Sequence, residues 1–127
     1  MILGIGTDLC DIGRIERALE RYGERFARRI LVESELLRFK RHRKPAAYLA
    51  KRFAAKEAFS KALGTGIHFP VNWHNVWVEN APSGKPSLKF SAALAAYLSE
   101  RRITSVHVSL TDEIGMACAV VIVEGPG

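Results

Sequence analysis

Two acids in this chain stand where simple packing does not explain them. Glu57 lies within "RFAAKEAFSKALG" (52–64), a Pro-free, Ala-rich stretch ending at Gly64, the residue type that commonly closes a helix. Winding it at ~100° per residue sets Glu57 beside Phe53 and Ser60, between Ala50 and Ala54, with Lys61 one turn on. Asp8 ends an alternating stretch, "ILGIGTDLC", in which Leu3, Ile5, Thr7 and Leu9 share one face and Ile2, Gly4, Gly6 and Asp8 the other. Each acid has an ordinary explanation: Asp8 starts a turn, and Glu57 pairs with Lys61 at i,i+4, worth only ~0.3–0.5 kcal/mol. The chemical alternative joins them as oxygen ligands for Mg²⁺, an ion that takes one or two carboxylates and fills its remaining positions with water and phosphate oxygens. Spacing alone leaves both readings open.

Other residues offer weaker signals. Ser60, Lys61, Gly64, Thr65 and Gly66 gather at a helix end and its loop. Lysine and flexible glycine backbone often hold phosphate, yet there is no Walker A pattern, and a helix C-terminus has the wrong dipole for an anion. His107, Ser109 and Thr111 share one face of a strand, opposite Val106, Val108 and Leu110; the His is either structural, a phosphate contact or a proton carrier. Arg14, Arg17, Arg21, Arg25 and Arg28 fall within roughly 80° of one another on a helical wheel, apart from an apolar stripe of Ile15, Leu19, Tyr22, Phe26 and Ile30. Such a stripe is either a solvated face or a docking surface for an acidic partner.

The elements that must position these residues follow from periodicity and punctuation. After the first strand, Asp11 caps a helix, "IGRIERALERYGERFARRI", weakened at Gly23. "ESELLRFKRHRK" is a second helix ending before Pro45, and residues 46–63 form a third. The period then changes to two. "WHNVWVEN" and "SLKF" flank the turn "APSGKP", with Trp73, Asn75 and Trp77 expected on one strand face. "AALAAYLSERR" is a short helix, and "SVHVSL" and "MACAVVIVE" are strands joined by "TDEIG". The order β-α-α-α-β-β-α-β-β, without repeat or linker, predicts one α+β domain over 1–127, a largely antiparallel sheet packed on helices. Gly4 and Gly6 lead up to Asp8 without side chains, so another backbone or a ligand is expected to come close there.

Composition narrows the field. Of 127 residues, 48% are hydrophobic and 25% charged, which argues against disorder. No apolar run approaches a membrane span, the N-terminus turns acidic too soon for a signal peptide, and Cys10 and Cys118 lack metal-ligand spacing, so a cytoplasmic setting is expected. Residues 1–61 hold 15 of the 19 Lys and Arg against 8 acids, a net +7, whereas the remainder is −1. That asymmetry points to an acidic partner. A nucleic-acid module is the rival reading, but it lacks a motif and leaves Asp8 and Glu57 unexplained.

"GIGTDLCDIGRIE", "RFAAKEAFSKALGTGI" and the terminal "HVSLTDE…ACAVVIVE" together resemble the holo-acyl-carrier-protein synthases, small bacterial 4′-phosphopantetheinyl transferases, over nearly the whole chain. The resemblance implies that family's fold. It also implies transfer of the 4′-phosphopantetheine arm of coenzyme A to a serine of apo-acyl carrier protein, releasing adenosine 3′,5′-bisphosphate, in fatty acid biosynthesis. A carrier of polyketide or peptide synthesis is the variant reading. By resemblance Asp8 and Glu57 match the magnesium ligands and Lys61 a third catalytic position. Ser60, Lys61, Gly64, Gly66, His107 and Ser109 match the coenzyme A site. Arg14, Arg17 and Arg21 match the helix that docks the acidic carrier protein. Members are homotrimers with sites between subunits. After "HVSL" many relatives show a hydroxyl residue followed by His, where this chain has Thr111-Asp112.

Overall fold

A computed structural model describes residues 1–127. Strand β1 (Ile2–Asp11) leads into four helices: α1 (Ile12–Tyr22), α2 (Glu24–Ile30), α3 (Glu33–Arg41) and α4 (Pro45–Leu63). The hairpin β2 (Val76–Asn80) and β3 (Pro86–Phe90) follows, then α5 (Ala92–Glu100), β4 (Ser105–Glu113) and β5 (Met116–Glu124). The expected single helix over 12–30 is two. Gly23 takes φ 64°, ψ −150°, ending α1 with its N–H on Leu19 O. This backbone strains any residue with a Cβ, so the glycine reads as a break rather than a weak point. Asp11 caps α1 as expected, its side chain accepting from Gly13 N at 2.8 Å.

The strands form two antiparallel sheets rather than one: β1-β5-β4 and the separate pair β2-β3. β2 begins only at Val76, so Trp73 and Asn75 lie before it, and Trp73 stacks on Phe53 of α4 with centroids 5.1 Å apart. β4 runs on to Glu113, which brings Thr111 and Asp112 into the ladder and shortens the expected turn.

α4 lies against the inner face of the three-stranded sheet, and its small side chains let it lie close. Ala50, Ala54, Ala55 and Ala58 are fully buried. A Cβ at Gly4 would strike the carbonyl oxygen of Ala62, and one at Gly6 that of Ala58. The approaching backbone anticipated beside these glycines is therefore α4. Leu49 and Phe59 of α4, Val121 and Val123 of β5, and Leu94 of α5 complete one hydrophobic cluster. Each such side chain adds ~1.5–3 kcal/mol on leaving water.

The outer face of that sheet has no cover. Leu3, Ile5 and Leu9 are 46%, 59% and 67% exposed. Their register neighbours are Ile122 and Cys118 on β5, with His107 and Thr111 beyond on β4.

Candidate active site

The close fit of α4 on β1 brings Asp8 and Glu57 together. Asp8 follows Gly6 on the inner face, and Glu57 stands on the turn of α4 that crosses it. Lys61, one turn on, reaches over to β1. Its ammonium donates to Thr7 O at 3.1 Å and to Asp8 Oδ1 at 3.0 Å. The ordinary i,i+4 pair of Glu57 with Lys61 does not form, because Asp8 takes the cation. Asp8 Oδ2 is buried and has no hydrogen-bond partner. Burial pushes the Glu57 carboxyl above the usual range, the nearby Asp8 charge pushes it further, and Lys61 opposes both.

An orphaned buried carboxylate oxygen beside a second, desolvated carboxylate is an arrangement short of a cation. Two acids and no third His, Cys, Asp or Glu make a poor cage for a transition metal. They suit Mg²⁺, which keeps most positions for water and phosphate oxygens. The residues present therefore fit that ion.

The remaining sequence candidates are dispersed. Ser60 is fully buried, and its hydroxyl donates to Glu57 O at 2.7 Å within its own helix. Gly64 closes α4 in the left-handed conformation, and the N–H groups of Thr65 and Gly66 return to Ser60 O at 3.1 and 3.3 Å. The loop satisfies the helix end. His107 and Ser109 lie on the outer face of the sheet, away from Asp8 and Glu57, with His107 Nε2 2.6 Å from Glu124 Oε1. One chain does not bring them to the carboxylates. Arg14, Arg17 and Arg21 are exposed along α1; Arg25 and Arg28 of the same wheel stripe belong to α2, past the break.

One feature escaped the sequence. A cavity of about 550 Å³ is lined by Arg38, His42, Tyr48, Lys51, Arg52 and the β2–β3 turn. Arg52 is buried, with its guanidinium 4.1 Å from the Tyr48 ring centroid and 2.8 Å from Asn80 Oδ1, and its Nε has no partner. Burial lowers the His42 pKa, and the Lys51 and Arg52 charges lower it further, so the cavity is a concentrated positive site. The signal was present as Tyr48 and Arg52 at i,i+4, but the wheel gives such a pair no direction without the hairpin opposite.

Behind it, Lys56 and Glu35 form a buried ion pair at 2.7 Å. Lys56 also donates to Ile30 O and Trp73 O, while Glu35 accepts from Val32 N and Val78 N. Every hydrogen of that ammonium is used, which a buried charge requires.

Comparison with known proteins agrees with this geometry. The family model described as the 4′-phosphopantetheinyl transferase superfamily matches residues 4–119. The holo-[acyl-carrier-protein] synthase of Nitrosomonas europaea is 53% identical over 124 residues, covering 98% of this chain and 99% of that protein. The crystal structure of holo-[acyl-carrier-protein] synthase from Neisseria meningitidis superposes with a TM-score of 0.94 at 46% identity, covering 98% of this chain and 99% of that one. The Bacillus anthracis enzyme, solved in complex with CoA (3′,5′-ADP), gives 0.83 at 37% identity, with 99% of each chain covered. Glycines that admit a helix backbone, a carboxylate pair beside a lysine, and full-length similarity of this degree have one common explanation: the chain belongs to the 4′-phosphopantetheinyl transferase superfamily, among its holo-[acyl-carrier-protein] synthases.

Proposed function

We infer that this chain transfers the 4′-phosphopantetheine arm of coenzyme A to a serine of apo-acyl carrier protein, giving holo-acyl carrier protein and adenosine 3′,5′-bisphosphate. The observation that carries the reading is the Asp8–Glu57 pair, with its unpartnered Asp8 Oδ2, in a chain 53% identical to a synthase of that name. The serine oxygen attacks the β-phosphorus, the bond to the bridging oxygen breaks, and the nucleotide leaves with its 5′-phosphate. Little covalent chemistry falls to the protein, so positioning and charge neutralisation carry most of the catalysis.

Asp8 and Glu57 are the residues that would hold Mg²⁺. When bound, that ion supplies charge neutralisation on the pyrophosphate. Lys61, fixed to β1 through Thr7 O and Asp8, offers a standing positive charge at the same place. The basic cavity around Arg52 suits the remaining phosphate of the nucleotide, since buried guanidinium with a free N–H favours a phosphate oxygen. Arg14, Arg17 and Arg21 offer the acidic carrier protein a docking face.

The open apolar sheet face supports a homotrimer in which a neighbour covers Leu3, Ile5 and Leu9 and receives this chain's His107 and Ser109 beside its own carboxylates. A cytoplasmic role in fatty acid biosynthesis fits a single transferase domain over 1–127 with two free cysteines.

The direct test is the intact mass of apo-acyl carrier protein after incubation with this protein, coenzyme A and Mg²⁺. The expected result is a gain of one phosphopantetheine arm that EDTA abolishes. An unchanged mass on a carrier that another synthase modifies would overturn the assignment.

A further inference from the structure

The end of β4 has a partner across the fold. Asp112, near the end of β4, pairs with Lys51 of α4, Nζ to Oδ1 2.9 Å, both side chains part-exposed. Lys51 stands between two hollows. On one side is a cleft of about 590 Å³ that includes Asp112, Glu16 and Glu20. On the other is the basic cavity, where Lys51 is one of the lining cations and its charge is felt at His42.

The cations of that cavity are not equivalent. Arg52 is locked by burial, by Asn80 and by the Tyr48 ring. Lys51 is a flexible stem whose ammonium is already paired with a carboxylate that does not itself line the cavity. A polyanion entering the cavity must compete with Asp112 for it, and it also meets the Asp112 charge itself.

We propose that Asp112 sets the affinity of the basic cavity for its nucleotide phosphate by competing for Lys51, making the pair a specificity-tuning device of this chain. The idea rests on reading the cavity as a phosphate site for coenzyme A. A weaker grip serves turnover, because the product adenosine 3′,5′-bisphosphate carries the same phosphate as the substrate and must leave.

The experiment titrates adenosine 3′,5′-bisphosphate calorimetrically into the wild-type protein, Asp112→Asn, Lys51→Met and the double variant, alongside KM for both substrates. Asp112→Asn is expected to tighten the nucleotide and lower KM for coenzyme A by roughly two- to fivefold, the scale of one part-exposed ion pair. KM for the carrier protein stays in place. Lys51→Met weakens binding, and in its background Asp112→Asn tightens it by clearly less than in the wild type, since only the direct repulsion is then relieved. Equal or weaker binding by Asp112→Asn, or equal tightening with Lys51 absent, would overturn the proposal. A wild-type protein that binds the nucleotide nowhere would overturn the reading of the cavity, and this inference with it.

Discussion

Glu57 stands at a cost to the fold that a bound cation would remove. Its carboxyl titrates above the ordinary range because of burial and then Asp8. A raised carboxyl binds more protons in the folded than in the unfolded state, so stability falls as pH rises from the ordinary value through the folded one. In EDTA the protein should therefore lose stability across that acid-side window on the way to neutral pH. Glu57→Gln removes the charge and keeps the shape: its melting temperature at neutral pH should exceed the wild-type value in EDTA, while transfer falls to background. A variant that melts lower in EDTA, or that still transfers, would contradict the picture. The two acids were legible in sequence because they interrupt otherwise small or apolar faces. The partner of Lys61 was not: helical spacing points to Glu57, and only the packed strand supplies Asp8 as the competitor. The burial of Ser60 was hidden for a related reason, since a wheel gives its angle but not that the angle faces the interior.

Among the elements, the seam between β1 and α4 does most of the positioning. Gly4 and Gly6 were read as leaving room for a backbone or a ligand, and the carbonyls of Ala62 and Ala58 fill it. A methyl at Gly6 meets backbone oxygen, which cannot rotate away, so Gly6→Ala must lift α4 from the strand. Overpacking of this kind costs ~1–3 kcal/mol, and a rigid neighbour puts it at the upper end. The same lift widens the gap between Asp8 and Glu57. Gly6→Ala should thus raise the Mg²⁺ concentration needed for half-maximal transfer, beyond what its lowered stability explains, and activity should return in part at high Mg²⁺. Loss of stability with an unchanged Mg²⁺ requirement would separate the seam from the site. The helix break at Gly23 and the second sheet were harder to see. A glycine in a helical pattern reads as a weak residue until its φ is known, and strand pairing is a long-range choice that alternation does not record.

At the scale of the molecule, one chain sets its two groups of candidate residues on opposite faces of one sheet. Asp8 points to the helix side, and His107 and Ser109 point outward among exposed Ile5, Leu9 and their β5 neighbours. No rotamer carries a side chain through a sheet, so if both halves serve one reaction the outer half belongs to a neighbour's site. Alternation announced these faces from the start; what it left open is which face meets the core, because both are apolar enough to be buried by something. Mixing two damaged forms distinguishes the cases. Asp8→Ala should be inactive, and His107→Ala should lower turnover. If each site joins the carboxylates of one subunit to His107 of the next, refolding an equal mixture leaves about one site in four with both halves intact, by random assortment within a closed ring. Activity in the mixture should then exceed the average of the two variants, and should approach a quarter of wild type as the residual turnover of His107→Ala approaches zero. Ile5→Arg on the exposed strand should lower the sedimentation mass and abolish that recovery together, because the face that builds the assembly is the face that lends His107. A mixture no more active than the average of its parts would exclude a site shared between subunits and leave the apolar face without a catalytic reason.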